Sequence, residues 1–232
     1  RQVTLSVQGV DRRRDEYKGC GGTIHMEKTN EKYGAYIQIL REELIPAMGC
    51  TEPIAVAYAA AVARQTLGEL PDKVIVGASG SIIKNVKSVI VPNTDNMKGL
   101  NTAAAAGIVA GKPEKELEVI AEVTPEQTEE IKEFLKTAEI TVEHVENGNT
   151  FDIVISVFKG EKSAKVRIAN YHTNIVYIEK NGEVLKNIPV RGEAEDGLTD
   201  RNLLNMKDIW DFANTVDIED VRPILEPQIR YN

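Results

Sequence analysis

The stretch ITVEHVENGNTFDIVISVFKGEKSAKVRIANYHTNIVYIEKNGEVLKNI, residues 140–188, decides the fold. Its apolar residues recur at every second position, the period of a strand with one buried face. This spacing predicts strands over 140–146, 151–158, 163–169, 174–180 and 183–188. Asn147-Gly148, Lys159-Gly160 and Asn181-Gly182 punctuate them. Asn-Gly is a strong hairpin signal, because both residues tolerate the left-handed backbone of a tight turn. The expectation is one antiparallel meander.

Upstream the period lengthens. Tyr33, Ile37, Leu40 and Leu44 step by three or four, which predicts a helix over Glu31–Leu44, broken by Pro46 and Gly49. A second helix is expected from Thr51, with Thr51 as its N-cap, Glu52 in the first turn and Pro53 where a missing N–H costs little. This helix, IAVAYAAAVA to Ala63, is apolar nearly all round and so belongs in a core. In KVIVGASGSIIKNVKSVIVP, residues 73–92, a β-branched run at 74–76, a small-residue turn and an alternating run at 82–91 predict a β-hairpin. The turn Gly77–Ser81 could also cradle an anion, but no Walker-type lysine accompanies it. Helices are expected over Lys98–Val109, from Pro113 to near Ile120, from Thr124 to near Thr137, and over 202–213 and 217–230. The class is therefore α+β: an N-terminal helical layer with an Ala-rich buried helix, packed against an antiparallel sheet.

Composition bounds the function. A net charge of −8 with 5% aromatics lacks the basic footprint of a nucleic-acid binder. The longest apolar run, Pro53–Ala63, is about half of the roughly 20 residues that span a bilayer. Cys20 and Cys50 are the two cysteines, too few for a disulfide framework, so a reducing cytoplasm is expected. The Arg-rich residues 1–25 show no clean period, and His25-Met26 is a dipeptide that a common cloning site encodes. They read as a cloning scar or mis-called leader, peripheral to the fold, and the fold reading begins at Met26.

Chemistry centres on MGCTEP, residues 48–53. A free cysteine is usually a packing residue. Cys50, however, lies just before a helix N-terminus, where unpaired N–H groups favour a thiolate. His172, beside Thr173 and Asn174, reads either as a hydrogen-bonded loop residue or as a base. Asn93, Thr94 and Lys98 either cap the following helix or hold an amino-acid carboxylate, and His144 points outward from its strand.

Three blocks then occur in a telling order: GCTEP with its Ala-rich helix, GSIIKNVKSVIVPNTDNMKGLNTAAAAGIVAG, and NYHTNIVYIEKNGEVL. Together they resemble the iron–sulfur L-cysteine desulfidases, often called serine dehydratase alpha-subunit-like proteins. The similarity covers about Glu31 to Asn232. The resemblance implies an α,β-elimination that turns L-cysteine, or L-serine, into pyruvate and ammonia. It implies a [4Fe–4S] cluster rather than pyridoxal phosphate, with Cys50 as the metal ligand. It also implies a pocket for a small amino-acid substrate, walled by Thr51, Asn93, Thr94, Lys98, Thr173 and Asn174, with His172 as base or carboxylate anchor. The family's other cluster cysteines lie in a C-terminal half, and no cysteine follows Cys50 here. The expectation is a fragment or one subunit of a split enzyme, its partner the missing half. A homo-oligomer fits this reading; nucleic acid and membrane do not. The alternative is a non-catalytic amino-acid-binding or scaffold subunit that supports a separate catalytic chain.

Overall fold

The computed structural model describes residues 26–45, 47, 49–146, 149–190 and 198–231. The leader, Pro46 and the Asn147-Gly148 turn lie outside the described residues. The fold is α+β, and the chain divides into two compact units, one built from residues before 45 and after 194, the other from those between. Among the described residues no helix is long and apolar enough to cross a membrane.

The first unit holds α1 (Glu31–Glu43), a short 3-10 turn at Arg201–Leu203, and the last two helices, α6 (Met206–Thr215) and α7 (Ile218–Tyr231). Asn30 caps α1 by accepting from the Lys32 N–H. The core of this unit is Met26, Tyr33, Tyr36, Ile37, Ile39, Phe212 and Val221. Phe212 meets the rings of Tyr33 and Tyr36 edge-on, at centroid distances of 5.6 and 5.3 Å, a favoured aromatic geometry. Glu42 is held by Arg201 and Thr199. Burial alone would raise this carboxyl, but those bonds outweigh it and hold the pKa down to about 2.

The second unit runs through α2 (Thr51–Leu67), β1 (Lys73–Ala78), α3 (Gly80–Val86), α4 (Gly99–Ala110), a 3-10 segment at Pro113–Glu118 and α5 (Pro125–Thr137). It continues as β2 (Glu139–His144), β3 (Asp152–Lys159), β4 (Lys162–Ala169), β5 (Ile175–Lys180) and β6 (Glu183–Asn187). Every residue of α2 from Pro53 to Ala63 is buried. The helix packs on α4, β3 and β4. Small side chains let the two helices approach closely: a methyl on Gly107 of α4 would overlap the Ala57 backbone of α2, and one on Gly111 would press on Ala61. On the helix side of the sheet Ile153, Ile155 and Val157 of β3 and Val166 and Ile168 of β4 are wholly buried, the alternation that the sequence shows.

The sheet has six strands in the order β2-β1-β3-β4-β5-β6. From β3 to β6 it is the expected antiparallel meander. The β5–β6 turn has both Asn181 and Gly182 at positive φ, 50° and 84°, as a tight hairpin requires. Two expectations fail. First, β2 does not pair with β3. The strand β1 sits between them, parallel to β2 and antiparallel to β3. Burial explains the order: Val74, Val76 and Ala78 of β1 are fully buried and need neighbours on both sides, whereas β2 is mostly exposed and suits an edge. The sheet is therefore mixed. Second, residues 82–91 do not form a strand. Ile82 and Val86, one helical turn apart, are the buried pair of α3, and Ile90 makes only an isolated bridge to Lys98. Ser79 opens this helix, with its N–H donating to the Asp152 carbonyl and its hydroxyl to that of Thr150.

Smaller corrections concern ends. The N-cap of α2 is Cys50 rather than Thr51. The segment at 113–118 is 3-10 with a left-handed kink at Glu116, not an α-helix. The helix expected at 202–213 begins as the 3-10 turn and becomes α-helical only at Met206. The α5 start is as expected, with Thr124 and Gln127 forming a reciprocal capping box.

Candidate functional site

The site is built at the mouth of α2. Gly49 turns the chain with φ +76°, and a Cβ there would meet Pro92 at 3.8 Å, which places the loop after Val91 alongside. Cys50 follows in extended conformation. Its half-buried thiol donates to Glu52 Oε2 at 2.9 Å. Because Cys50 holds the cap position without bonding the helix backbone, Thr51 is free to turn its hydroxyl elsewhere. Thr51 Oγ1 is hydrogen-bonded to His172 Nε2 at 2.9 Å. His172 stands in the β4–β5 connection, where Asn170 at φ 68° bends the chain. The Phe151 ring packs against the imidazole at 4.5 Å between centroids. Asn85 of α3 donates to the second Glu52 oxygen at 3.4 Å.

Electrostatics fix the protonation pattern. Burial and then the hydrogen bond to Glu52 push the Cys50 thiol up. The thiol in turn holds Glu52 below the usual carboxylate range, against the effect of burial. Burial pushes His172 down, opposed by the Glu52 charge. At neutral pH the cluster is thus a thiol, a carboxylate and a neutral imidazole. The helix end by itself favours a thiolate, but burial and then the Glu52 carboxylate two residues on offset it.

Of the sequence-predicted residues, Cys50, Thr51 and His172 come together here. Thr173 is half-buried beside His172, and Asn174 donates its amide to the Ala169 carbonyl, bracing the turn. The loop residues have other partners. Asn93 donates to the carbonyls of Ile120 and Ala121. Thr94 is fully buried, with its hydroxyl donating to the Val91 carbonyl. Lys98 is exposed at the N-cap of α4. His144, exposed at the end of β2, lies 3.6 Å from Glu146. Sequence reasoning took Glu52 only for a helix-dipole partner and missed Phe151 and Asn85. Glu52 carried a signal, its two-residue offset from a cysteine; the other two carried none.

Among the described residues no group of three or more His, Cys, Asp or Glu side chains could hold a metal ion. Cys50 is the one described cysteine, and a [4Fe–4S] cluster takes three or four thiolates. The described residues therefore do not by themselves fit such a cluster.

In sequence the chain is similar to UPF0597 proteins. It is 50% identical over 209 residues to one from Desulfitobacterium hafniense strain Y51. It is 46% identical over 200 residues to one from Lachnoclostridium phytofermentans and 43% identical over 208 residues to one from Treponema denticola. These matches take in 90%, 86% and 89% of this chain but 49%, 48% and 48% of the relatives. The chain spans about half the length of the curated relatives it matches, and their names state no activity. No family model matches the chain. No solved structure matches it.

Proposed function

We propose that this chain is one part of an iron–sulfur-dependent amino-acid lyase that eliminates sulfide from L-cysteine or water from L-serine. One observation carries the reading. The Thr51–His172 hydrogen bond joins the GCTEP and HTNI segments, 121 residues apart, around Cys50, and a shared site demands that juxtaposition. Elimination needs a base near the α-carbon and a group that accepts the β-substituent. A neutral, half-buried imidazole suits the first task in the tautomer that donates Nε2–H to Thr51, which leaves the lone pair on Nδ1 to take the proton. A [4Fe–4S] cluster, when bound, supplies a Lewis-acidic iron for the second. In this reading Cys50 is one cluster ligand, and the remaining thiolates come from outside the described residues. In the same reading Thr173 and the loop after Val91 wall the pocket, Asn93, Thr94 and Asn174 brace its backbone rather than hold substrate, and the compartment is the cytoplasm.

The test uses a protein of the relatives' full length that carries this chain, reconstituted anaerobically with iron and sulfide. The expected result is bound iron and pyruvate release from L-cysteine or L-serine. Cys50→Ser, nearly isosteric, should lose both while keeping the circular dichroism of the parent. Full iron content and activity in that variant would remove Cys50 from the metal site. Amino-acid binding without pyruvate from the parent would favour the non-catalytic binding module.

A further inference from the structure

Helix α6, MKDIWDFANT, turns Phe212 into the core of its unit but leaves a second apolar face toward water. A surface helix ordinarily turns its carboxylates outward and its aromatic residues inward. Here Asp211 is 8% exposed and accepts from Lys207, and Asp208 accepts from Lys32 at 2.5 Å. Meanwhile Met206 is 82% and Trp210 67% exposed, with Ile209 beside them. Trp210 is the single tryptophan of the sequence. On α7 a second apolar row, Ile218, Leu225 and Ile229, is also exposed. Its members are spaced seven and four apart and so share a helix face. Adding these side chains to the small core of this unit would extend it considerably, yet nothing in the described chain covers them. Exposed apolar rows of this kind, one of them carrying a tryptophan, mark an interface.

We propose that the exposed apolar rows of α6 and α7 dock the rest of the full-length protein. The length of chain outside this one argues for that occupant. In the Desulfitobacterium relative the 209 matched residues make up 49% of the protein, so a comparable length remains to be packed somewhere. Helix α7 runs to Tyr231, so any continuation of the chain leaves from the helix that carries the second row. The chemistry expected of the docking half is an apolar face with a pocket for Trp210, since the carboxylates of α6 are already paired with lysines of their own unit. The inference is independent of the lyase reading, and its test reads stability rather than turnover.

The double variant Trp210→Glu/Ile229→Glu is made both in this chain alone and in a full-length protein that carries it. In this chain the melting temperature should stay within about 2 °C, because both positions already face water. In the full-length protein it should fall by about 5 °C or more. Amides of 206–230 should exchange at least about tenfold more slowly in the full-length parent than in this chain. Equal, small effects in the two proteins would overturn the proposal, as would equal, large ones. It would also be overturned if this chain alone dimerised in the ultracentrifuge and the double variant abolished the dimer, because the occupant would then be a second copy.

Discussion

A threonine in the first turn of a helix ordinarily serves its own backbone, but Thr51 serves His172. The imidazole is kept neutral by burial, and this has a consequence for stability. An unfolded histidine takes up its proton near pH 6.5, and folded His172 does so at lower pH. Below about 6.5 the unfolded chain therefore binds more protons, and folding stability falls as pH falls toward the folded value; above 6.5 the contribution is fully present. Replacing His172 with Gln should flatten this part of the stability–pH curve. Urea midpoints on either side of pH 6.5 measure it, and an unchanged slope would show that the imidazole is not desolvated. Thr51→Val should cost about 1 kcal/mol by leaving the ring nitrogen without this partner, and should raise the acid sensitivity no further in the His172→Gln background. Both residues were legible from the sequence because each stands in a short motif at an element boundary. Phe151 was not, since a ring stacked on a residue in another segment leaves no local pattern. The Asn93 amide, read from sequence either as part of a helix-capping loop or as a carboxylate holder, is occupied by the 120–121 carbonyls, and nothing in the loop sequence shows those acceptors.

At the scale of elements, the α2–α4 contact explains why these two helices are rich in alanine. The helices touch through backbone, with Gly107 against Ala57, so the contact has no room for a methyl. Gly107→Ala should push the pair apart and destabilise by about 1–3 kcal/mol, the usual cost of overpacking. Gly34 gives the control within α1: a methyl there meets nothing within 4 Å, so Gly34→Ala should stabilise by about 0.5–1 kcal/mol through helix propensity. Opposite signs for one chemical change, read from urea midpoints, would establish the close approach; a neutral Gly107→Ala would refute it. The long periodic helices and the β3–β6 hairpins could be read from sequence because propensity, capping and turn residues agreed there. The α3 segment could not, because SIIKNVKSVIV satisfies both a period of two and a period near four, and only the buried Ile82–Val86 pair decides. The place of β1 inside the sheet was equally hidden. Strand order follows from which strands need cover on both sides, a property of the assembled layer rather than of any one segment.

The whole chain carries two separate hydrophobic cores among its described residues, one around α2, α4 and the sheet, the other around Tyr33, Tyr36 and Phe212. Sequence periodicity found the helices of both but not the division, because the first unit is assembled from the two ends of the fold. Two cores imply two cooperative units, so unfolding need not be a single transition. Phe212 is the place to test this, since it is buried and its ring meets both tyrosines. Phe212→Ala removes those contacts and leaves a cavity, at a cost of about 3–5 kcal/mol to the unit that contains it. Residues of the other unit keep all their partners, including the Thr51–His172 bond. Hydrogen exchange should then show α1, α6 and α7 losing protection while β3 and β4 of the sheet keep theirs, and calorimetry should show one transition moving to lower temperature. Loss of protection in β3 and β4 by the same free energy would mean that the two cores unfold as one, and that the candidate site depends on the terminal helices for its stability.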